Sequence, residues 1–576
     1  MEFRYQYHGT TQVSDGSQSQ AFSFAPDLLR PQVAFDGLLR RDTGVHWPVR
    51  EALSALHDVV VSDLRVRGRD RTAYRAWLAD NEQHLLARFM QRGTSVRARL
   101  DDVQRELQAV RAQKSRVLDP FYRARAKYFS WLYMANRDAW FVLDPVITVH
   151  PERVLFEAFS QDESSYCAVS ISHNAFTRTG EVACGTTNID YSVSLYDEFQ
   201  KIRDYRDTRI AIDPAGFAVQ AAGDPERRED KIDLPESWLA GFLQVSSASA
   251  LPATVLELHP MDLHSVLSVL RQQRETAGPR ALRIELAPRA APTLVFEPWN
   301  LRLPTRRSQL VGPALTEPQT IRLWGRRRLL TLERLIAVAQ RVRVHLLGTG
   351  MPSFWVIELG EVTVTLGLSG WTSNDWASAA KFALLTPRQA LPPAALNAVA
   401  QALQARWMAS VDELAAATQL GAGEVRAALT AWAQAGRAVY DLPQGRWAWR
   451  ELLREPLTPG QLRLVSPEDD EAVALVASGG VQVHRIDFAQ GFARVAGQVP
   501  TDRRTHDTVL ELSADDVLTD ARCDCNHRQQ HGLRRGPCVH MLALRLVAQA
   551  PLDQARAQAA TASAAASATP VTGADA

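Results

Sequence analysis

The chain has 576 residues, enough for about three to five domains at roughly 100–200 residues each. Hydrophobic residues at 46% and charged residues at 22% exclude wholesale disorder, a collagen-like repeat and a membrane bundle. Lys and Arg number 65 against 64 Asp and Glu, so any attraction to nucleic acid must come from local patches.

The first residues, MEFRYQYHGT, carry no basic start followed by an apolar stretch, and no apolar run is long enough to span a bilayer. A cytoplasmic protein without membrane contact is the expectation. From Glu51 to about Leu143 the pattern is helical. Val96, Leu100, Val103, Leu107, Val110 and Val117 form one apolar seam, short enough to suit an antiparallel helical hairpin. Short β-rich runs (VLFEAFS, SYCAVSIS, TRIAIDP) dominate from Val146 to about Val219, and a charged, proline-bearing linker follows.

From Ala253 to Gly370 the order strand, helix, strand, strand occurs twice: TVLEL, MDLHSVLSVLRQQ, ALRIELA and TLVFEPW, then TIRLW, LLTLERLIAVAQ, RVHLLG and SFWVIELG. A duplicated β-α-β-β unit would give a sheet with helices on one face. Coincidence of element order is the competing explanation. Ala394 to Leu452 reads as a winged helix-turn-helix, with helices ALNAVAQALQARW, VDELAAATQ and EVRAALTAWAQAG before the hairpin-like AVYDLPQGRWAWREL. Its third helix turns Val425, Leu429 and Trp432 inward. Glu424, Arg426, Ala427, Thr430, Ala431 and Gln434 are left to face a groove, a surface poor in base-reading groups. DNA and a protein partner suit that surface equally. PEDDEA then reads as a linker, and TASAAASATPVTGADA as a disordered tail.

Cys167 and Cys184 stand alone, whereas Cys523, Cys525 and Cys538 crowd together ahead of His540. Three thiolates and one imidazole complete a tetrahedral zinc shell, so a closed structural site is expected rather than a catalytic one. His527 and His531 in the spacer rank second as ligands. Strand VLTDARC would deliver the first pair, Gly536-Pro537 would turn the chain, and His540 would open the helix MLALRLVA.

Basic patches flank this motif and occur elsewhere. Arg522, Arg528, Arg534, Arg535 and Arg545 surround the cysteines, and ten arginines lie between Arg302 and Arg343. Arg326, Arg327 and Arg328, with Arg426, Arg528, Arg534 and Arg535, are the candidate phosphate contacts. The Arg302–Arg343 arginines could instead neutralise acidic groups elsewhere, and Trp299 and Trp324 could pack the core or stack on bases. No phosphate loop, HExxH or nucleophile elbow occurs. Around CGTTNIDYS, Cys184, Asn188 and Asp190 with His173 are the one polar cluster of catalytic type, and a satisfied strand-and-turn element explains them better. No enzyme activity is expected.

The C-x-C, spacer, C-x-H pattern preceded by the strands VQVHRIDF, GFARVAGQV and HDTVLELS resembles a SWIM-type zinc finger. TVHPERVLFEAFSQDESSY, CGTTNIDYS, RDYRDTRIAIDPAGF and LLGTGMPSF look like segments of long bacterial SWIM-finger proteins encoded beside MoxR-type AAA+ ATPases and von Willebrand A-domain proteins. The resemblance implies a zinc-binding, non-enzymatic adaptor that engages partner proteins of that kind, nucleic acid, or both. The alternative is a sequence-tolerant DNA-binding protein using finger, winged helix and arginine-rich segment.

The expected architecture is thus multidomain α+β. A mainly helical region (1–145) precedes an α+β unit (146–225) and a mixed platform with the candidate duplication (226–390). A winged helix (391–455), a linker (456–472), the finger domain (473–550) and the tail (551–576) complete it.

Overall fold

The computed structural model describes residues 12–15, 19–24, 33–62, 145–188, 196–197, 199–212, 236–275, 280–312, 315, 317–370, 375–377, 381–387, 391–452, 467–489, 492–501 and 504–567. They belong to one compact unit drawn from 1–62 and 143–576. The helical seam from Val96 to Val117 lies outside them, as does the expected linker between 213 and 235.

The chain opens on strands: β1 (Gln12–Asp15), β2 (Ser19–Phe24) and β3 (Phe35–Leu39), then helix α1 (His46–Val60). Strands thus precede the helical stretch expected from Glu51, of which the described residues hold only the part to Val60, in α1. The physical reason is non-local. β2 pairs in parallel, and β3 antiparallel, with a strand far along the chain, Asp207–Ile212, so no short-range pattern announces them. Downstream lie β4 (Val146–Val149), β5 (Arg153–Phe159), β6 (Ser165–Ser172), β7 (Phe176–Arg178), β8 (Gly185–Asn188) and that strand, β9.

After helix α2 (Glu236–Ser249), the order β10 (Thr254–Leu258), α3 (Pro260–Gln272), β11 (Leu282–Leu286), β12 (Thr293–Phe296) is followed by β13 (Leu301–Pro304) and β14 (Gln309–Val311). β15 (Gln319–Leu323), a 3-10 helix (Arg326–Leu335), β16 (Arg341–Leu346) and β17 (Ser353–Glu358) then repeat that order, and β18 (Val362–Leu368) extends it. The single sheet expected from the duplication is not what forms. Each copy lends its first strand to the other: β10 pairs with β16, and β15 with β11, both antiparallel. Two sheets result, one four-stranded (β13-β12-β11-β15) and one nine-stranded (β14-β10-β16-β17-β18-β6-β5-β4-β8). The larger sheet joins strands from both sides of residue 226, so the boundary expected there falls inside a continuous hydrogen-bonded layer.

The two faces of the nine-stranded sheet differ in chemistry. Register aligns Val154, Phe156, Val169, Ile171, Val362, Val364, Trp355, Ile357, Val342 and Val344 on one face, and α1 packs over β5, β6 and β18 there with Val49, Leu53 and Leu56 buried. The opposite face carries Arg153, Glu157, Tyr166, Ser170, Thr363 and Thr365. Charges on a buried face must be paired, and here they are. Glu157 and Arg450, both 0% exposed at the side chain, lie 2.6 Å apart. Tyr166 donates to Glu157 at 2.7 Å, Arg450 donates to Ser246 at 3.0 Å, and Arg153 pairs with Asp441.

Arg450 and Asp441 belong to the next segment: α4 (Pro393–Arg406), β19 (Met408–Ala409), α5 (Val411–Thr418), α6 (Ala422–Gln434), β20 (Ala438–Asp441) and β21 (Arg446–Trp449). Ser410 and Glu413 cap α5 reciprocally, and Val399, Leu403, Leu414, Val425, Leu429 and Trp447 fill the small core. The groove-facing surface expected on α6 is not free. Ala427 and Thr430 are only 4% and 6% exposed, α6 packs against α2, and Gln434 donates to Thr386. Alanines on this face permit close helix packing within the chain.

PEDDEA is not a linker; it opens α7 (Pro467–Ala477), with Glu468, Asp469 and Asp470 in the first turn, where the helix dipole favours carboxylates. β22 (Gln482–Ala489), β23 (Phe492–Pro500), β24 (Thr505–Ser513) and β25 (Leu518–Cys523) form an antiparallel meander. Two helices follow: α8 (Asn526–His531) and α9 (Val539–Ser567). Val495, Leu510 and Ala521 face Met541, Leu542, Leu544 and Ala548. A Cβ at Gly497 would come within 2.5 Å of Leu544, so only glycine admits this approach. The expected break at Pro551 does not occur. The helix passes through it because Leu552 is buried and Arg556 donates to Ser513 O, while the alanines beyond have the highest helix propensity. Residues 568–576 lie outside the described set.

Two measurements check these packing arguments. Arg450→Ala should leave Glu157 charged and unpaired in the interior and cost about 3–5 kcal/mol, read as a lower unfolding midpoint of the full chain, whereas Glu157→Gln with Arg450→Met should recover part of the loss. Stability should also fall with acid. Burial pushes His173 and His345 down to about 4 and holds His150 well below 6.5. The unfolded chain accepts protons near 6.5 that the folded chain refuses, so stability is full above that pH and declines from 6.5 towards 4. Urea midpoints measured across that window should show the decline.

Candidate metal centre

Alternation along β25 turns Leu518, Ala521 and Cys523 inward and leaves Asp520, Arg522 and Asp524 exposed. Cys525 then caps α8, its sulfur accepting from the Arg528 backbone N–H at 3.5 Å. Gly536, at φ 89° and with Lys381 O 2.9 Å from any added Cβ, turns the chain back to Cys538 and the first turn of α9.

This route brings Cys523, Cys525, Cys538 and His540 together with all four ligand atoms within 4.8 Å of one another. His540 Nδ1 is 3.7 Å from Cys523 Sγ and 3.9 Å from Cys538 Sγ. A tetrahedral ion with bonds of about 2.3 Å to sulfur and about 2.0 Å to nitrogen needs edges of roughly 3.5–3.8 Å, so the donors, all within 4.8 Å of one another, would close in slightly around an ion. The three sulfurs are buried, at 8%, 5% and 3% exposure, and the cluster could hold a metal ion. Hydrogen bonding from Cys538 pushes the Cys523 thiol down to about 3, with His540 and Thr508 adding to the effect against burial. The same bond raises Cys538, and burial raises Cys525. Metal binding at three cysteines would release thiol protons.

Neighbours that sequence reasoning passed over support the ligands. His506 on β24 stacks on His540 with ring centroids 3.9 Å apart, and its Nδ1 lies 2.6 Å from Asp524 Oδ1. Thr508 donates to Cys523 Sγ at 3.6 Å. Both point inward from an alternating strand, which was the available signal, but the pairing of Thr508 with Cys523 comes from strand register alone. His527 and His531 pack edge to face at 5.3 Å and stand outside the four-ligand group. His527 lines an adjoining cleft with Glu468, Glu471, Arg504 and His506.

The candidate phosphate contacts are dispersed, and most are engaged. Arg326 is 2% exposed, donates to Ala281 O at 2.7 Å and faces Glu275 at 3.3 Å. Arg328, 8% exposed, faces Asp162 at 3.3 Å, and Arg327 donates to Leu270 O. Burial removes Arg326 and Arg328 from phosphate contact, which corrects that expectation. Arg302, Arg322, Arg334, Arg341 and Arg343 pair with Glu285, Glu297, Asp58 and Glu358, so carboxylates from other strands and helices neutralise these five, whereas Arg306 and Arg307 are exposed. Arg426 pairs with Asp515 at 2.6 Å. Arg528 donates to Ala521 O, and Arg534 donates to His531 O while lying across Gly350. Arg545 is buried and donates to Leu384 O, Thr386 O and Asp516 O. Arg522 is exposed and Arg535 half-buried.

Around the remaining polar cluster, Arg178 lies 3.2 Å from His173 Nδ1, and burial pushes the Cys184 thiol up. Asp190 and the Asn188 side chain lie outside the described residues. Among the described residues, no helix is long and apolar enough to cross a membrane.

No family model matches the chain, and no curated protein does. Among solved structures, the proliferating cellular nuclear antigen of Entamoeba histolytica aligns with 39% of this chain and 88% of its own at 8% identity. The TM-score is 0.27, too low to carry an argument about fold or function.

Arg328→Ala should act through stability rather than through ligand affinity. Removing the cation leaves Asp162 buried without its counter-charge, though Ser160 and Ser164 still donate to it, at a cost of about 3 kcal/mol, and thermal unfolding of the full chain should register it. Arg522→Ala, at an exposed position, should leave the midpoint unchanged within about 0.5 kcal/mol.

Proposed function

We propose that the C-terminal meander and its helices form a SWIM-type finger built on a structural zinc ion, in a non-enzymatic adaptor that engages partner proteins. The carrying observation is the Cys3His donor set, with all four ligand atoms within 4.8 Å of one another, seated where β25, α8 and α9 meet. Cys523, Cys525, Cys538 and His540 would hold the ion, Thr508 would bond one sulfur, and His506 would fix the His540 ring by stacking. Zinc supplies folding free energy to a small layer of this size, and four protein donors leave no position for substrate.

Three observations favour protein partners over DNA. Helices α4–α6 and the β20–β21 hairpin have the order of a winged helix, yet α6 is packed within the chain and the hairpin is tied to the large sheet by Arg153–Asp441 and Arg450–Glu157. The α6 face that would enter a groove is covered, and of the hairpin the tip at Gln444 and Gly445 is exposed. The exposed face of the finger sheet mixes Arg485, Arg494 and Arg522 with Asp487, Asp507, Glu511, Asp520 and Asp524, and Arg504 and Arg528 pair with Asp524 and Asp520, so the face is mixed in sign and offers phosphate no continuous row of cations. In the arginine-rich segment seven of ten cations are in ion pairs within the chain, while Arg306 and Arg307 are exposed. An AAA+ ATPase of MoxR type or a von Willebrand A-domain protein is the partner class that the sequence resemblance supplies.

The purified full chain should contain one zinc, and the Cys525→Ser/Cys538→Ser double variant should lose it; zinc retained at full stoichiometry in that variant defeats the assignment. Duplex DNA should bind weakly and release between about 50 and 200 mM salt, as expected for phosphate contacts alone. Tight retention at the higher salt, in a fluorescence anisotropy titration, would replace the adaptor by the DNA-binding alternative.

A further inference from the structure

We propose that β22 is a self-association edge: two copies of the chain pair antiparallel through Gln482–Ala489 about a twofold axis at Ile486. β22 is the outer strand of the meander, hydrogen-bonded to β23 along one side. Among the described residues, no strand or loop backbone bonds its other side. Its side chains are poorly covered. Phe488 is 44% exposed, Val483 and Ile486 are half-buried, and His484 and Arg485 are exposed. A strand of this length with a free row of amide and carbonyl groups is a template for another strand.

Charge selects the occupant and its register. Exposed edges are commonly blunted by charges, because self-pairing sets like against like. Arg485 and Asp487 flank Ile486, so this strand is antisymmetric in charge about that residue. A twofold axis at Ile486 places Arg485 of each copy directly opposite Asp487 of the other, two attractive pairs on one face. Moving the axis to Arg485 or to Asp487 sets like charges against each other, and the other face is exposed by a slip of one residue. Within one chain Arg485 Nε already lies 2.8 Å from Asp487 Oδ1 on the sheet surface, so the four groups would alternate in sign. The irregularity between Val483 and Arg485 recurs by symmetry on both sides of the axis, each facing residues 487–489 of the other copy. The product is a continuous eight-stranded sheet with Phe488 withdrawn from water. One edge pairing buries an area at the low end for specific complexes, so association should be concentration-dependent.

The full chain is tested by light scattering over a dilution series and by cysteine cross-linking. The wild type should shift from monomer to dimer with concentration. Arg485→Asp, which turns both cross-strand pairs repulsive, should weaken association about tenfold, and Arg485→Asp/Asp487→Arg should restore it. Ile486→Cys should form a disulfide-linked dimer with oxidised glutathione, because residues on the axis bring their Cβ atoms about 4.5–5.5 Å apart. Tyr205→Cys, at a position 73% exposed, should not cross-link. A monomer at every concentration, an Arg485→Asp chain that associates as tightly as wild type, or Ile486→Cys linking no faster than Tyr205→Cys would each overturn the proposal.

Discussion

The ion pair between Glu157 and Arg450 is the contact on which the arrangement of the chain depends. It joins a strand of the large sheet to the end of the hairpin that follows α6, with no exposure at either side chain. A carboxylate at the middle of a β-strand is tolerable in the interior only with a cation and a further donor, and Arg450 and Tyr166 both donate to Glu157 Oε1 while Ser246 accepts from Arg450. Without the docked segment, the polar face of the sheet would be an open surface carrying Arg153, Glu157 and Thr365. With it, the same residues fix where the three helices sit.

That docking governs what α6 can do. A third helix lined with alanine and threonine suits close packing, and α2 and the segment around Thr386 take up that face. Arg426 faces Asp515, so the helix also reaches the residues that lead into the metal centre. The arginine-rich stretch follows the same logic. Its cations lie across strand and helix boundaries from Asp58, Asp162, Glu275, Glu285, Glu297 and Glu358; the Arg334–Asp58 pair joins it to α1, while Arg302–Glu285 and Arg343–Glu358 link strands within a sheet.

At the C-terminus, one helix covers one small sheet, and the Cys3His cluster closes the junction between them. Arg545 adds three bonds to main-chain oxygens of other segments, so the helix that carries His540 is held from both ends of its first turns. The support that His506 and Asp524 give to His540 has the character of an outer shell around a metal ligand, which fixes ring orientation.

Local sequence determined what depends on neighbours along the chain. Three- and four-residue spacing placed α4, α5 and α6, alternation placed β22 to β25, and the cysteine and histidine spacing delivered the metal cluster, because all of these are set within a few turns or one hairpin. What remained hidden was non-local. The N-terminal strands exist because β9 pairs with them, the duplicated units exchange their first strands, and PEDDEA starts a helix that packs on α9. Charge was the least legible property. An arginine at 328 reads like one at 522 in sequence, yet the first is buried against Asp162 and the second faces water. Periodicity reports which face of an element is apolar; only the tertiary structure decides which partner, from distant sequence, meets the polar one.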